Sequence, residues 1–309
     1  MYLKEGWLKA LVFFFLYLIV TGLFDYFGII AIHELIKNEY SSSLAKFIIV
    51  HNYIIKPENL FFLILSQSFQ LLGLMFLLLV IKKVFCFNVF NWFNLNFNSY
   101  KNFIKSFSLG AITIFIIITY LYLKGYILFE KFSFSLIRLS GYLLLFTIGA
   151  VIEETVFRGL ILGNLKESIN KYFALAVSSV LFVLIHLLNT GISLVSITNL
   201  FLAGLILGIL FILFDNLWMP IGFHLSWNFF QGPVFGFNIS GLKIVGILKP
   251  VHVDNSIKYT GGNFGLEGSF LTTIVSVFFL LALIIYYKKQ NEITNKTKIA
   301  TNQSKVSNK

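Results

Sequence analysis

Eight stretches of this sequence stay apolar for about the length that carries a helix across a bilayer, roughly 20 residues. They fall at 8–30, 60–81, 103–123, 139–163, 173–189, 196–214, 215–231 and 270–287. Backbone that enters lipid must satisfy every N–H and C=O internally, so runs this long and uniformly apolar fold as helices. Composition points the same way. The chain is 58% hydrophobic and 12% charged, with a mean hydropathy of +0.85, whereas soluble domains carry roughly 45–50% apolar and about 25% charged residues. Folded in water it would expose apolar patches over most of its surface. The same arithmetic excludes nucleic-acid binders, secreted disulfide scaffolds and disordered proteins. The expected fold is all-α, a polytopic membrane helical bundle of about eight transmembrane helices.

The first run follows Lys4 and Lys9 as a signal peptide would, but it is long and its end, Gly22-Leu23-Phe24-Asp25, is no small-x-small cleavage site. It is read as a retained span. Only Asp215-Asn216 separates the sixth and seventh runs, which must therefore form a tight antiparallel pair. With the N-terminus inside, the cytoplasmic segments hold Lys4, Lys9, Lys82, Lys83, Lys101, Lys105, Arg158, Lys166, Lys171 and six tail lysines, 15 of the 24 basic residues, leaving 9 outside. That bias predicts a multi-pass protein of the cell membrane with both termini cytoplasmic, although Lys37, Lys46 and Lys56 fall on the outer side. Residues 1–287 read as one membrane domain, and 288–309 as a basic tail expected to be disordered. The tail's lysines outnumber its single acid, Glu292, and suit anionic lipid headgroups; no nucleic-acid partner is expected from the net charge of +11. The lone Cys86 allows neither an internal disulfide nor a thiolate metal site. The connection 232–269 holds eight glycines without a period and fits a loop, a re-entrant piece or a lid equally.

Polar side chains at bilayer depth are costly, about 2.5–3.5 kcal/mol for Asp, Lys or Arg, so they are rare and usually functional. Among thirteen acids, Glu153 and Glu154 sit deep in an apolar run, followed by Arg158; His186 and His224 are the two of five histidines inside spans, while His33, His51 and His252 lie in connections. Glu154 and Arg158 are four apart and share a helix face, as do His224 and Asn228. Glu153 points elsewhere and must find its neighbours on other helices. Taken singly, each feature has a bland reading. A lone membrane histidine is more often an interhelical hydrogen bond than a catalyst, a Glu–Arg pair can merely staple a helix, and Phe182 is one of 37 phenylalanines. Together they place an extra carboxylate, two histidines and an amide on three separate spans.

Such a set suits hydrolysis. A carboxylate beside a histidine can hold and deprotonate water, and a second histidine with an amide can donate to a developing oxyanion. Glu153, His186 and His224 would equally serve as a His-His-carboxylate zinc set. No H-E-x-x-H and no Gly-x-Ser-x-Gly occurs, which sets aside zincin and serine-elbow chemistry.

Glu153-Glu154-Thr155-Val156-Phe157-Arg158-Gly159 resembles the E-E-x-x-F-R-G signature of the CPBP family, the CAAX proteases and bacteriocin-processing enzymes also called Abi. Phe182 to His186 is similar to its F-x-x-x-H motif and His224 to Asn228 to its H-x-x-x-N motif, in the same order over residues 139–231. The resemblance implies an intramembrane endopeptidase in which Glu153 and His186 activate water, His224 and Asn228 stabilise the oxyanion, and Glu154 and Arg158 support them. Its substrates would be membrane-associated peptides or proteins, lipidated or not. The family has been described both as metalloproteases and as metal-independent, so zinc stays an open alternative; the pairing of His224 with Asn228 favours water activated without metal. Two other classes compete. A non-catalytic bacteriocin-immunity or scaffold protein would tolerate loss of Glu153. A proton-coupled transporter would show repeated halves, yet the Glu-Glu motif has no second copy.

Overall fold

A computed structural model of the protein describes residues 5–35, 54, 56, 59–85, 99–253 and 256–307. Lys4, Lys37, Lys46, His51, Cys86 and Lys309 lie outside them. Every apolar run is helical for most of its length. The helices are α1 (Gly6–Leu35), α2 (Leu60–Phe85), α3 (Tyr100–Leu123), α4 (Leu136–Glu154), α5 (Gly163–Ser168), α6 (Lys171–Leu184), α7 (Leu194–Phe214), α8 (Trp218–Phe229), the short α9 (Ile257–Thr260) and α10 (Phe270–Ser307). A π-helical stretch, Thr155–Leu162, joins α4 to α5 without a break, and a second, Phe230–Val234, extends α8.

Among the described residues, six helical segments are long and apolar enough to cross a membrane: Gly6–Leu35, Leu60–Phe85, Tyr100–Leu123, Leu136–Ser168, Leu194–Phe214 and Phe270–Gln290. The expected spans 173–189 and 215–231 are shorter, with α6 at 14 residues and α8 at 12. Their ends explain this. Beyond α6 the chain tightens into three-residue turns, His186 N–H donating to Val183 O at 2.9 Å and Asn189 N–H to His186 O at 3.0 Å. Before α8 lies the turn at Asp215, with a left-handed φ of 48°, and Asn216 Oδ1 accepts from Met219 N–H at 3.3 Å to open the helix. Short helices and broken backbone are tolerated at membrane depth where protein or a cavity surrounds them.

α10 continues well past its apolar part to Ser307, where an irregular tail was expected from residue 288. No glycine or proline follows Gly268 to stop it.

The connection after α8 is an ordered cover. Its strand β2 (Leu248–His252) pairs antiparallel with β1 (Ile127–Phe132), which links α3 to α4. Ile239 bridges both Leu242 and Gly265, folding residues 239–243 back over the bundle. The main core gathers Tyr142, Phe157, Leu160, Phe182, Leu200, Phe211 and Leu225, all buried, around α4, α6, α7 and α8. Ser226 Oγ donates to Phe107 O at 2.5 Å, tying α8 to α3.

Candidate active site

The two consecutive glutamates close α4 and point about 100° apart, the rotation between neighbours on a helix. Glu154 turns into the bundle and is completely buried. Its Oε1 accepts from Arg158 Nη1 at 3.0 Å and faces His224 Nδ1 at 2.8 Å. Arg158, buried within the π-helical stretch, reaches on to α7, where Nη2 donates to Gly204 O at 3.2 Å. Glycine is required there because a Cβ at 204 would lie 2.8 Å from Ser179 Cβ of α6. The missing side chain brings α6 and α7 together and leaves a carbonyl within reach of the guanidinium.

Glu153 turns the other way and keeps 24% of its side chain exposed. Its nearest charged neighbour across the bundle is His224, whose Nε2 lies 3.9 Å from Glu153 Oε2. His224 therefore stands between the two carboxylates, one ring nitrogen toward each. His186 follows the end of α6, and its Nδ1 donates to Phe182 O at 2.8 Å. A carbonyl cannot donate, so in the neutral ring Nε2 keeps its lone pair. Phe182 does more than fill space. Arg158 lies 4.7 Å above its ring, while its centroid is 4.8 Å from that of His186 and 6.3 Å from that of His224.

All four residues expected to do chemistry, Glu153, His186, His224 and Asn228, line one cavity of about 750 Å³ together with Phe182. Glu154 and Arg158 lie behind its wall. The three side chains of the zinc alternative share this cavity, but among the described residues no group of three or more His, Cys, Asp or Glu side chains is placed to hold a metal ion. Both π-helical stretches begin within two residues of site side chains, Thr155 after Glu154 and Phe230 after Asn228. Such insertions occur frequently at functional sites because they re-aim the helix face.

Further polar side chains line the cavity without having been singled out, among them Gln67 of α2, Asn199 of α7 and Glu267 in the cover. Asn199 Nδ2 donates to Glu267 O and to Ser269 O, each at 2.8 Å. Gln231 Nε2 donates to Glu267 Oε2 at 2.6 Å. Burial pushes the Glu267 carboxyl up to about 7, against the opposing pull of the Gln231 hydrogen bond and of His224. An amide inside an apolar run was the available signal for Gln67 and Asn199. Glu267 gave none, since it sits in a segment without hydrophobic period.

Residues 135–230 match the family model of type II CAAX prenyl endopeptidase Rce1-like proteins. This matched segment is similar to Rce1-like domains. It runs from the residue before α4 to the residue after α8 and contains every side chain expected to act. At family level this similarity supports a CAAX-type endopeptidase, and the long apolar helices support a multi-pass membrane protein. No curated protein and no solved structure matches the chain. Gln67, Gln231 and Glu267 fall outside the Rce1-like segment.

Proposed function

We propose that the protein hydrolyses a peptide bond of a membrane-associated peptide or protein with a water activated by Glu153, without a metal ion. The observation that carries this reading is the division of labour between the two glutamates. Glu154 gives its Oε1 to Arg158 and His224 and is not among the residues lining the cavity, whereas Glu153 belongs to the cavity wall and its Oε2 has no hydrogen-bond partner among the described residues. A carboxylate free of partners beside a cavity is available to take a proton from water.

In this reading Glu153 is the general base, and the lone pair on His186 Nε2 helps to seat the water. Glu154 accepts the Nδ1 proton of His224 and so fixes that ring's orientation, as carboxylates do for histidines that must present one nitrogen. Two carboxylates facing one guanidinium leave one negative charge, and the imidazolium form of His224 balances it. Its Nε2 proton and the Asn228 amide then donate to the oxyanion that forms on the scissile carbonyl. The proton held by Glu153 passes to the departing amine. The 3.9 Å approach of His224 Nε2 to Glu153 favours a second assignment, in which His224 shares the water and His186 serves the oxyanion.

The test is cleavage of a peptide panel by purified protein, read by mass spectrometry before and after exhaustive chelation. The panel holds farnesylated and unlipidated peptides ending in Cys-aliphatic-aliphatic-X, and a bacteriocin-like leader peptide. Cleavage that survives chelation is expected. Stoichiometric zinc whose removal abolishes cleavage, with zinc restoring it, would overturn the metal-free reading.

A further inference from the structure

We propose that Glu267, acting through Gln231, is a positioning residue that fixes the end of the helix carrying His224 and Asn228 and holds the cover over the cavity. Gln231 lies three residues beyond Asn228, fully buried in the π-helical stretch Phe230–Val234. Its Nε2 donates at once to Glu267 Oε2 at 2.6 Å and to Asn238 O at 2.7 Å. One amide group thus joins α8 to both ends of the cover. Ser240 N–H approaches the same carboxylate oxygen at 3.5 Å, just before the residues that fold back over the bundle.

Glu267 is itself held from behind. Asn199 Nδ2 takes its carbonyl, and Thr273 Oγ1 of α10 donates to Asn199 Oδ1 at 2.7 Å. Gly265 makes the approach possible. Its φ of +94° belongs to glycine, and a Cβ there would stand 3.0 Å from Gln231 Nε2. Gln231, Ser240 and the Glu267 backbone all present donors to the carboxyl, a set that a carboxylate satisfies and a leucine of similar volume would leave unpaired. A buried acid at this place is expensive unless it organises its neighbours.

The consequence for the reaction is geometric. Successive residues on a helix are about 100° apart, so a small rotation or slide of α8 carries His224 away from Glu153 and Glu154. A misplacement of about 1 Å in a catalytic group lowers rates by about 10²-fold. The anchor sits where it can prevent that.

The kinetic arm of the test rests on the endopeptidase reading; a labelling arm does not. On the farnesylated peptide, Glu267→Ala and Gln231→Ala should each lower kcat at least tenfold with KM within twofold. The double variant should be no worse than either single one, because both remove the same link. Glu267→Gln keeps an acceptor for Gln231 and should restore most of kcat. Independently of turnover, Ser240→Cys in a Cys86→Ser background should react with a polar maleimide at least tenfold faster when Glu267 is Ala than when it is Glu. Melting temperatures and gel-filtration profiles of the variants are matched first, and Glu267→Gln supplies the comparison if the alanine variant fails to fold. Unchanged labelling in Glu267→Ala would overturn the proposal, as would multiplicative losses in the double variant. A wild-type protein that cleaves no peptide but shows the labelling difference would sink the endopeptidase reading and leave the anchor standing.

Discussion

Arg158 shows how strictly one buried charge is held. It is 1% exposed, paired with a glutamate at 0% exposure, and covered by the ring of Phe182. Removing one member of a buried ion pair leaves the other uncompensated and typically costs about 3–5 kcal/mol. Glu154→Gln and Arg158→Leu should therefore each lower the melting temperature in detergent as well as abolish activity. The double variant should lose much less stability than the two single losses added. Additive losses would mean that the pair is not the unit it looks like. Glu267 has a different signature. Its carboxyl holds a proton up to about 7 in the fold against an ordinary value of 4.5, so the folded state binds the proton more tightly than the unfolded chain does. Stability from this group is fully present below pH 4.5 and is lost as pH rises toward 7, about 3 kcal/mol in all at about 1.4 kcal/mol per pH unit. Melting curves at pH 5 and pH 8 should differ in the native protein and converge in Glu267→Gln. An equal slope in the variant would assign the effect to other groups.

The helices that carry the site depend on close approach at small residues, the usual device when lipid offers no hydrophobic force to pack helices together. Gly204→Ala already brings a Cβ within 2.8 Å of Ser179 and should destabilise by about 1–3 kcal/mol. Gly22→Ala on α1 has open space around the new methyl group and should be neutral or slightly stabilising. Thermal unfolding of the two variants side by side checks the contrast; equal losses would show that Gly204 is not a packing contact. The elements differ in how far the sequence alone revealed them. The apolar runs gave the helices because hydropathy is local, and the charges at 153, 154 and 158 stood out because nothing in lipid hides them. The ends of α6 and α8 were harder, since three-residue turns and π-helical stretches leave no hydrophobic period. The cover was least legible. β1 and β2 are joined across more than a hundred residues, and Glu267 meets a partner 36 residues away. Such contacts are fixed by tertiary packing.

The start of α1 and the end of α5 lie together, Trp7 N–H donating to Ser168 Oγ at 3.1 Å. Lys171 Nζ meets Tyr287 Oη at 2.5 Å at the same end of the bundle. The cover and the Asn189–Thr190 turn line the cavity at the other end. We infer from the 15-to-9 basic asymmetry that both termini are cytoplasmic, which would place the covered end of the cavity on the outer face. In a Cys86→Ser background, Ser256→Cys should react with an impermeant reagent on intact cells and Lys298→Cys should not. The reverse pattern would invert the protein in the membrane and turn its cavity toward the cytoplasm. Neither outcome alters the arrangement of the site, whose proposed function rests on one proton-accepting oxygen. Cleavage of the farnesylated peptide by wild-type protein and by Glu153→Gln, purified identically, is therefore the decisive comparison. The substitution keeps the volume of the side chain and leaves Glu154, Arg158 and His224 untouched, so insertion and melting temperature should hold. Turnover should fall about 10³-fold, the scale of a lost general base. A Glu153→Gln protein that cleaves within tenfold of wild type would contradict the account.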